Sequence, residues 1–198
     1  MDFVKSIYSS ILIVVNTLIT IHQQTQTIPT ACQPYVNMFL RSDNPSRELA
    51  QTEQESSCNP LAQSPFAKGL RQFTDQTGEW MSITHCKHLG DYDPFNPEWS
   101  IKCGLIYMEL LQSNNDYGNY CFNRKVAEAE YNGGSWVVWE LEEVNNASLE
   151  DAESICGVNK LKNGKRRAKW ACEENYKYSK HIFKRQVKYK GLNGKVCN

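Results

Sequence analysis

The chain of 198 residues has no excess of charge, 22 Lys and Arg standing against 22 Asp and Glu. That excludes a uniformly basic, histone-like protein and a wholly acidic, disordered one. No C-x-x-C pair occurs, so the usual close-spaced zinc site is not expected. The G-x-S-x-G, H-E-x-x-H, P-loop and dinucleotide fingerprints are all missing. Histidine is scarce, with four in the chain. There is no internal repeat and no linker long enough to divide the sequence. A mean hydropathy of −0.58 excludes a multispanning membrane protein.

What the chain has is one apolar run, an ample core composition and eight cysteines. Ile7 to Ile21 is the only long apolar stretch. It suits the centre of an export signal and falls short of the ~20 residues that span a bilayer. Residues 1–31 are therefore expected to be a signal peptide, cut somewhere between 20 and 31, and no transmembrane anchor is expected. Residues 32–198 then form a single disulfide-rich domain. Apolar residues make up 40% and aromatics 11%, enough for a packed core.

All eight cysteines lie beyond the signal: Cys32, Cys58, Cys86, Cys103, Cys121, Cys156, Cys172 and Cys197. An even number in an exported chain reads as four disulfides, with 105 pairings open. A Cys32–Cys197 bridge would tie both ends of the mature chain. The cluster His85-Cys86-Lys87-His88 reads as a disulfide cysteine between two surface imidazoles, and no metal or cofactor is called for. Asn146-Ala147-Ser148 is a glycosylation sequon at Asn146.

Asn44-Pro45 is a helix start, with Arg47 to Gln54 continuing it. Ser64-Pro65 repeats the signal, and Phe66, Leu70 and Phe73 form an apolar stripe ending before Gly78. Residues 80–86, 135–143, 167–172 and 182–190 read as extended, and 99–111 as a strand with a helix as the alternative; Val137, Trp139 and Leu141 alternate with Trp136, Val138 and Glu140. Ser148 and Asp151 open a short helix that Gly157 stops. The expectation is an α+β fold, with an antiparallel sheet of about four strands, helices packed on one face, and disulfides stitching the loops.

The neutral total hides an asymmetry. Val126 to Cys156 holds eight acidic residues and no Lys or Arg, whereas Val158 to the end holds thirteen Lys or Arg. Lys169, Lys177, Lys180, Lys184, Arg185, Lys188 and Lys190 are interleaved with aromatics there and form the candidate binding face, against the blander reading of a solvated strand face that the acidic segment cancels. A host protein is the expected partner, an anionic surface the second, and nucleic acid the last. Lys165-Arg166-Arg167 and Lys184-Arg185 resemble dibasic processing sites. Catalysis has little support: His85 or His88 with Glu79 and Arg167 could be assembled on paper, but no spacing demands it. No catalytic residue and no enzymatic activity are expected. Trp136 or Trp139 could serve a carbohydrate-binding surface.

An export signal, spread cysteines and no catalytic motif together resemble the small secreted cysteine-rich effectors of plant-pathogenic fungi, including the Leptosphaeria avirulence and suppressing family. The resemblance is one of pattern across the whole chain, and no residue role is carried over. It implies a secreted virulence protein that modulates plant immunity, acting in the plant apoplast or after uptake into host cells, with recognition as an avirulence determinant a further implication. The alternative is a secreted ribonuclease-like protein or antimicrobial toxin.

Overall fold

The structure, a computed structural model, describes residues 28–157, 161, 163–189, 191–192, 194 and 197. Residues 1–27 of the expected signal peptide, and Lys190 of the expected binding face, lie outside the described residues. Among the described residues there are eight α-helices and no sheet. They are α1 (Val36–Phe39), α2 (Pro45–Ser56), α3 (Asp75–Thr84), α4 (Pro97–Asn114), α5 (Tyr120–Gly133), α6 (Trp136–Glu143), α7 (Leu149–Ser154) and α8 (Lys169–Gln186). Short 3₁₀ turns precede α1 (Gln33–Tyr35), lie between α3 and α4 (Lys87–Leu89) and follow α8 (Val187–Tyr189). None of the described helices is long and apolar enough to cross a membrane.

The antiparallel sheet expected from the sequence is therefore corrected to an all-helical fold. Every segment read as a strand falls on a helix or its approach: 80–86 on α3, 99–111 on α4, 135–143 on α6, and 167–172 and 182–190 on the start and end of α8. The reason is visible in α6. Val137, Glu140 and Leu141 are its buried positions, an i, i+3, i+4 set. Its apolar run is dense enough to satisfy a period of 2 and of 3.6 alike.

The caps decide where helices begin. Asn96 accepts hydrogen bonds from the amides of Glu98 (2.9 Å) and Trp99 (3.2 Å), with Pro97 at the first helical position. Asn119 caps α5 and Thr74 caps α3 in the same manner. The expected start at Pro45 and the Ser148 cap of α7 stand as read. The expected helix over 66–73 does not form. Ser64 Oγ does accept from the Ala67 amide (2.9 Å). Gly69 then turns the chain at φ +77°, where a Cβ would sit 1.8 Å from the Pro94 carbonyl oxygen. Leu70 and Phe73 are buried and Phe66 is left 83% exposed.

Helices α2, α5 and α8 pack into a wedge, with α4 against α5. One apolar cluster joins Phe39, Leu49, Leu70, Ile101, Tyr178 and Ile182; a second joins Val126, Val137, Leu141, Ala152 and Tyr176. Gly133 lets α5 approach α8 closely, since a Cβ there would lie 2.0 Å from Asn175. The wedge also buries charge. Arg47, Arg71 and Glu128 are wholly inaccessible, and Glu48 and Arg124 nearly so. Arg47 pairs with Glu128 through both nitrogen prongs (2.5 and 2.7 Å), and Arg124 bridges Glu128 (3.2 Å) to Glu48 (2.5 Å).

The eight cysteines pair as Cys32–Cys58, Cys86–Cys103, Cys121–Cys197 and Cys156–Cys172. The two ends are thus each fastened to the body and not to one another. Each bridge contributes about 2–4 kcal/mol by restricting the unfolded chain.

Candidate active site

The last turn of α2 carries Glu55. Ser56 Oγ donates to the carbonyls of Thr52 (3.1 Å) and Leu70 (2.9 Å), fixing that turn to the 57–74 loop. Ser57 and Cys58 follow in the left-handed region, at φ 53° and 60°. Cys58 is bridged to Cys32. Non-glycine residues held in that region cost free energy and tend to gather at functional sites. Here they turn the backbone one residue beyond Glu55.

Glu55 is half-buried. Burial pushes its carboxyl up from 4.5 to about 7, against the hydrogen bond from Tyr178 and the positive charge of Arg71. Its place at the C-terminal, negative end of α2 acts in the same upward direction. The Tyr178 hydroxyl donates to Glu55 Oε1. Gln51, one turn earlier on α2, donates from Nε2 to the Tyr178 oxygen at 3.1 Å. Arg71 Nη2 donates to Gln51 Oε1 at 3.0 Å. The Arg71 guanidinium lies 5.5 Å from the Tyr131 ring centroid, and the Tyr131 hydroxyl donates to the Arg71 carbonyl at 2.6 Å. Burial also raises the Tyr178 and Tyr131 phenols, so both stay protonated donors.

A carboxyl poised near neutral pH, partly open to solvent and held by a phenol, is suited to give and take a proton. The cluster draws on α2, the 57–74 loop, α5 and α8. A cavity of about 370 Å³ between α5, α7 and α8 lies elsewhere, lined by Leu149, Tyr176, Lys180 and Phe183 among others. It shares no residue with the Glu55 cluster.

The family model for the Transglycosylase SLT domain matches residues 42–153, more than half of the chain. The chain belongs to this transglycosylase family. No match was found among curated proteins. The SLT segment includes Glu55, Gln51, Arg71 and Tyr131, while Tyr178 comes from α8, beyond the matched residues. Family membership corrects two expectations. A transglycosylase domain points to an enzyme, against the expected absence of activity, and to peptidoglycan-lytic chemistry in place of a host-directed effector. The ribonuclease or toxin alternative gains no support either.

The residues singled out in the sequence fall away from this site. Glu79, His85 and His88 are exposed at and after α3. Arg167 is elsewhere, 3.5 Å from Glu140. The expected cationic face is not the face of a strand. Lys180 pairs with Glu153 (2.7 Å), Lys188 with Glu53 (3.0 Å), Lys169 with Glu173 (3.6 Å) and Arg185 with Glu53 (4.0 Å). Lys177 and Lys184 are exposed on α8. Gln186, set among those cations at the end of α8, is buried against Asn44, Ser46 and Arg47. Trp136 and Trp139 stack edge to face, with Lys165 3.6 Å from the Trp139 centroid. Asn146 is exposed, at φ 58°.

Sequence reasoning passed over Glu55, Tyr178, Gln51, Arg71 and Tyr131. The Tyr178–Glu55 contact spans 123 positions and the Gln51–Tyr178 contact 127. No local spacing signals partners that far apart.

Proposed function

We propose that the chain is a peptidoglycan-lytic transglycosylase-like enzyme with Glu55 as its general acid and base. The observation that carries this reading is the half-buried Glu55 carboxyl, raised to about 7 inside the SLT segment. Protonated Glu55 gives its proton to the glycosidic oxygen as the bond from that oxygen to the anomeric carbon breaks. Positive charge develops on the sugar ring. The Glu55 carboxylate then takes a proton from an acceptor hydroxyl as that oxygen bonds to the anomeric carbon, and the acid is restored.

The groups that act on Glu55 are the Tyr178 phenol and the Arg71 guanidinium. A retaining hydrolase places a second carboxylate about 5–5.5 Å away as nucleophile. The partners of Glu55 favour single-carboxyl transfer instead. Export of the chain is part of the same proposal, and four disulfides support an oxidising compartment.

The test is digestion of purified bacterial peptidoglycan by the disulfide-bonded protein, following soluble glycan fragments and reducing ends together. Transfer releases fragments without one new reducing end per cut; hydrolysis creates one. The reading expects fragments without matching reducing ends, and no fragments from Glu55→Gln. Undigested peptidoglycan, or a Glu55→Gln variant as active as the parent, overturns it.

A further inference from the structure

We propose that Gln51 is a positioning residue that decides which oxygen of the Glu55 carboxyl carries the acid proton, acting through Tyr178. The proposal rests on the reading of Glu55 as the general acid and goes one step deeper, to the orientation of its proton.

Hydrogen-bond polarity fixes the orientation of each group in the cluster. A guanidinium can only donate. Arg71 Nη2 lies 3.0 Å from the Gln51 side chain, so the amide atom facing it is the oxygen. The amide nitrogen then faces the opposite way, where it meets the Tyr178 oxygen at 3.1 Å and the Met108 sulfur at 3.4 Å. A thioether can only accept, which agrees with that orientation. The Tyr178 oxygen accepts from Gln51, leaving its single hydrogen for Glu55 Oε1. The carbonyl oxygen of a neutral carboxyl accepts more strongly than its hydroxyl oxygen, so the Tyr178 donor holds Oε1 as the carbonyl. The acid proton therefore belongs on Oε2.

Nothing in the chain of donors is free to reverse. Arg71 Nη1 is held by the Glu48 carbonyl and Thr52 Oγ1, each at 3.2 Å, and pairs with Glu48 Oε2 at 3.1 Å. Gln51 and Arg71 are fully buried and Tyr178 is 5% exposed, so water does not compete for these bonds. The titratable and charged groups acting around Glu55 are Tyr178 from α8, Arg71 from the loop and Tyr131 from α5. The direction of every bond starts from a side chain that never loses its charge.

The conservative probe is Gln51→Glu, which keeps the shape and replaces the donating amide by an oxygen that only accepts. Tyr178 then has a second acceptor, and Glu55 Oε1 loses its donor. Glu55 is followed by NMR titration of ¹³C-labelled glutamate side chains, its signal assigned by disappearance in Glu55→Gln. In Gln51→Glu its titration midpoint is expected to rise by about one pH unit. At pH 7 kcat for peptidoglycan cleavage is expected to fall about tenfold, and KM to stay within about twofold. Tyr178→Phe, which removes only the hydroxyl, is expected to raise the midpoint alone. Adding Gln51→Glu to Tyr178→Phe is expected to raise it little further, because both act through one hydrogen bond.

An unchanged midpoint in Tyr178→Phe overturns the proposal even if Gln51→Glu does not fold. A full additional rise in the double variant also overturns it, since the effect would then be charge alone. Should the titrations behave as expected while Glu55→Gln still cleaves peptidoglycan, the proton placement stands and the catalytic reading fails.

Discussion

Glu55 and Glu128 sit in the same wedge of α2, α5 and α8, and burial pushes both carboxyls upward. They end on opposite sides of their ordinary value. Glu128 faces both prongs of Arg47, the Arg124 guanidinium and the Ser179 hydroxyl at 2.8 Å. These donors outweigh its burial and hold it below the usual range. Glu55 has one phenol and a guanidinium already committed to Glu48, Thr52 and Gln51. It stays near neutrality. The difference between a structural anion and a proton carrier is thus the number of uncommitted donors aimed at the carboxyl, not its depth.

Substituting each carboxyl by its amide separates the two roles most strongly. Glu55→Gln is expected to lower peptidoglycan cleavage by about a thousandfold, with the thermal midpoint unchanged or raised. Glu128→Gln is expected to do the reverse, costing about 3–5 kcal/mol in urea unfolding because Arg47 is left under-compensated. If both variants lose activity and stability equally, the two carboxyls do not play different roles.

Opening the Cys32–Cys58 bridge by a double serine substitution tests how far the turn behind Glu55 depends on its clip. A loss of about 2–4 kcal/mol is expected, with kcat falling more than stability alone accounts for.

The pH response is the smallest effect and the sharpest in sign. Glu55 binds its proton more tightly in the folded chain, so stability falls as pH rises from 4.5 through about 7. Glu128 is the opposite case. Its contribution is present above its unfolded value and is lost as pH falls below it. Differential scanning across that range should show the parent losing thermal midpoint relative to Glu55→Gln as pH rises. Parallel curves would remove the upward shift at Glu55.

The sequence disclosed the disulfide content, the start of α2 and the cap of α7, because each rests on residues close together in the chain. The same cap logic was present at Asn96-Pro97, where Asn96 caps α4, but the dense apolar run behind it reads as extended. Dense apolar runs in α4 and α6 hid their period. Arg47, Arg71 and Glu128 were illegible as core because a charged residue enters the interior only with partners, and those partners lie on other helices. The Glu55 site was illegible for the same reason. Its phenol arrives from α8, more than a hundred residues later, and only folding gives that tyrosine its role.

Lys165-Arg166-Arg167, read in the sequence as a dibasic processing site, lies between Cys156 and Cys172, and those two are joined. A trypsin-like protease cutting there would leave both fragments bonded to one another, with Cys121–Cys197 as a second tether. The nicked molecule would stay in one covalent piece until a reductant was added.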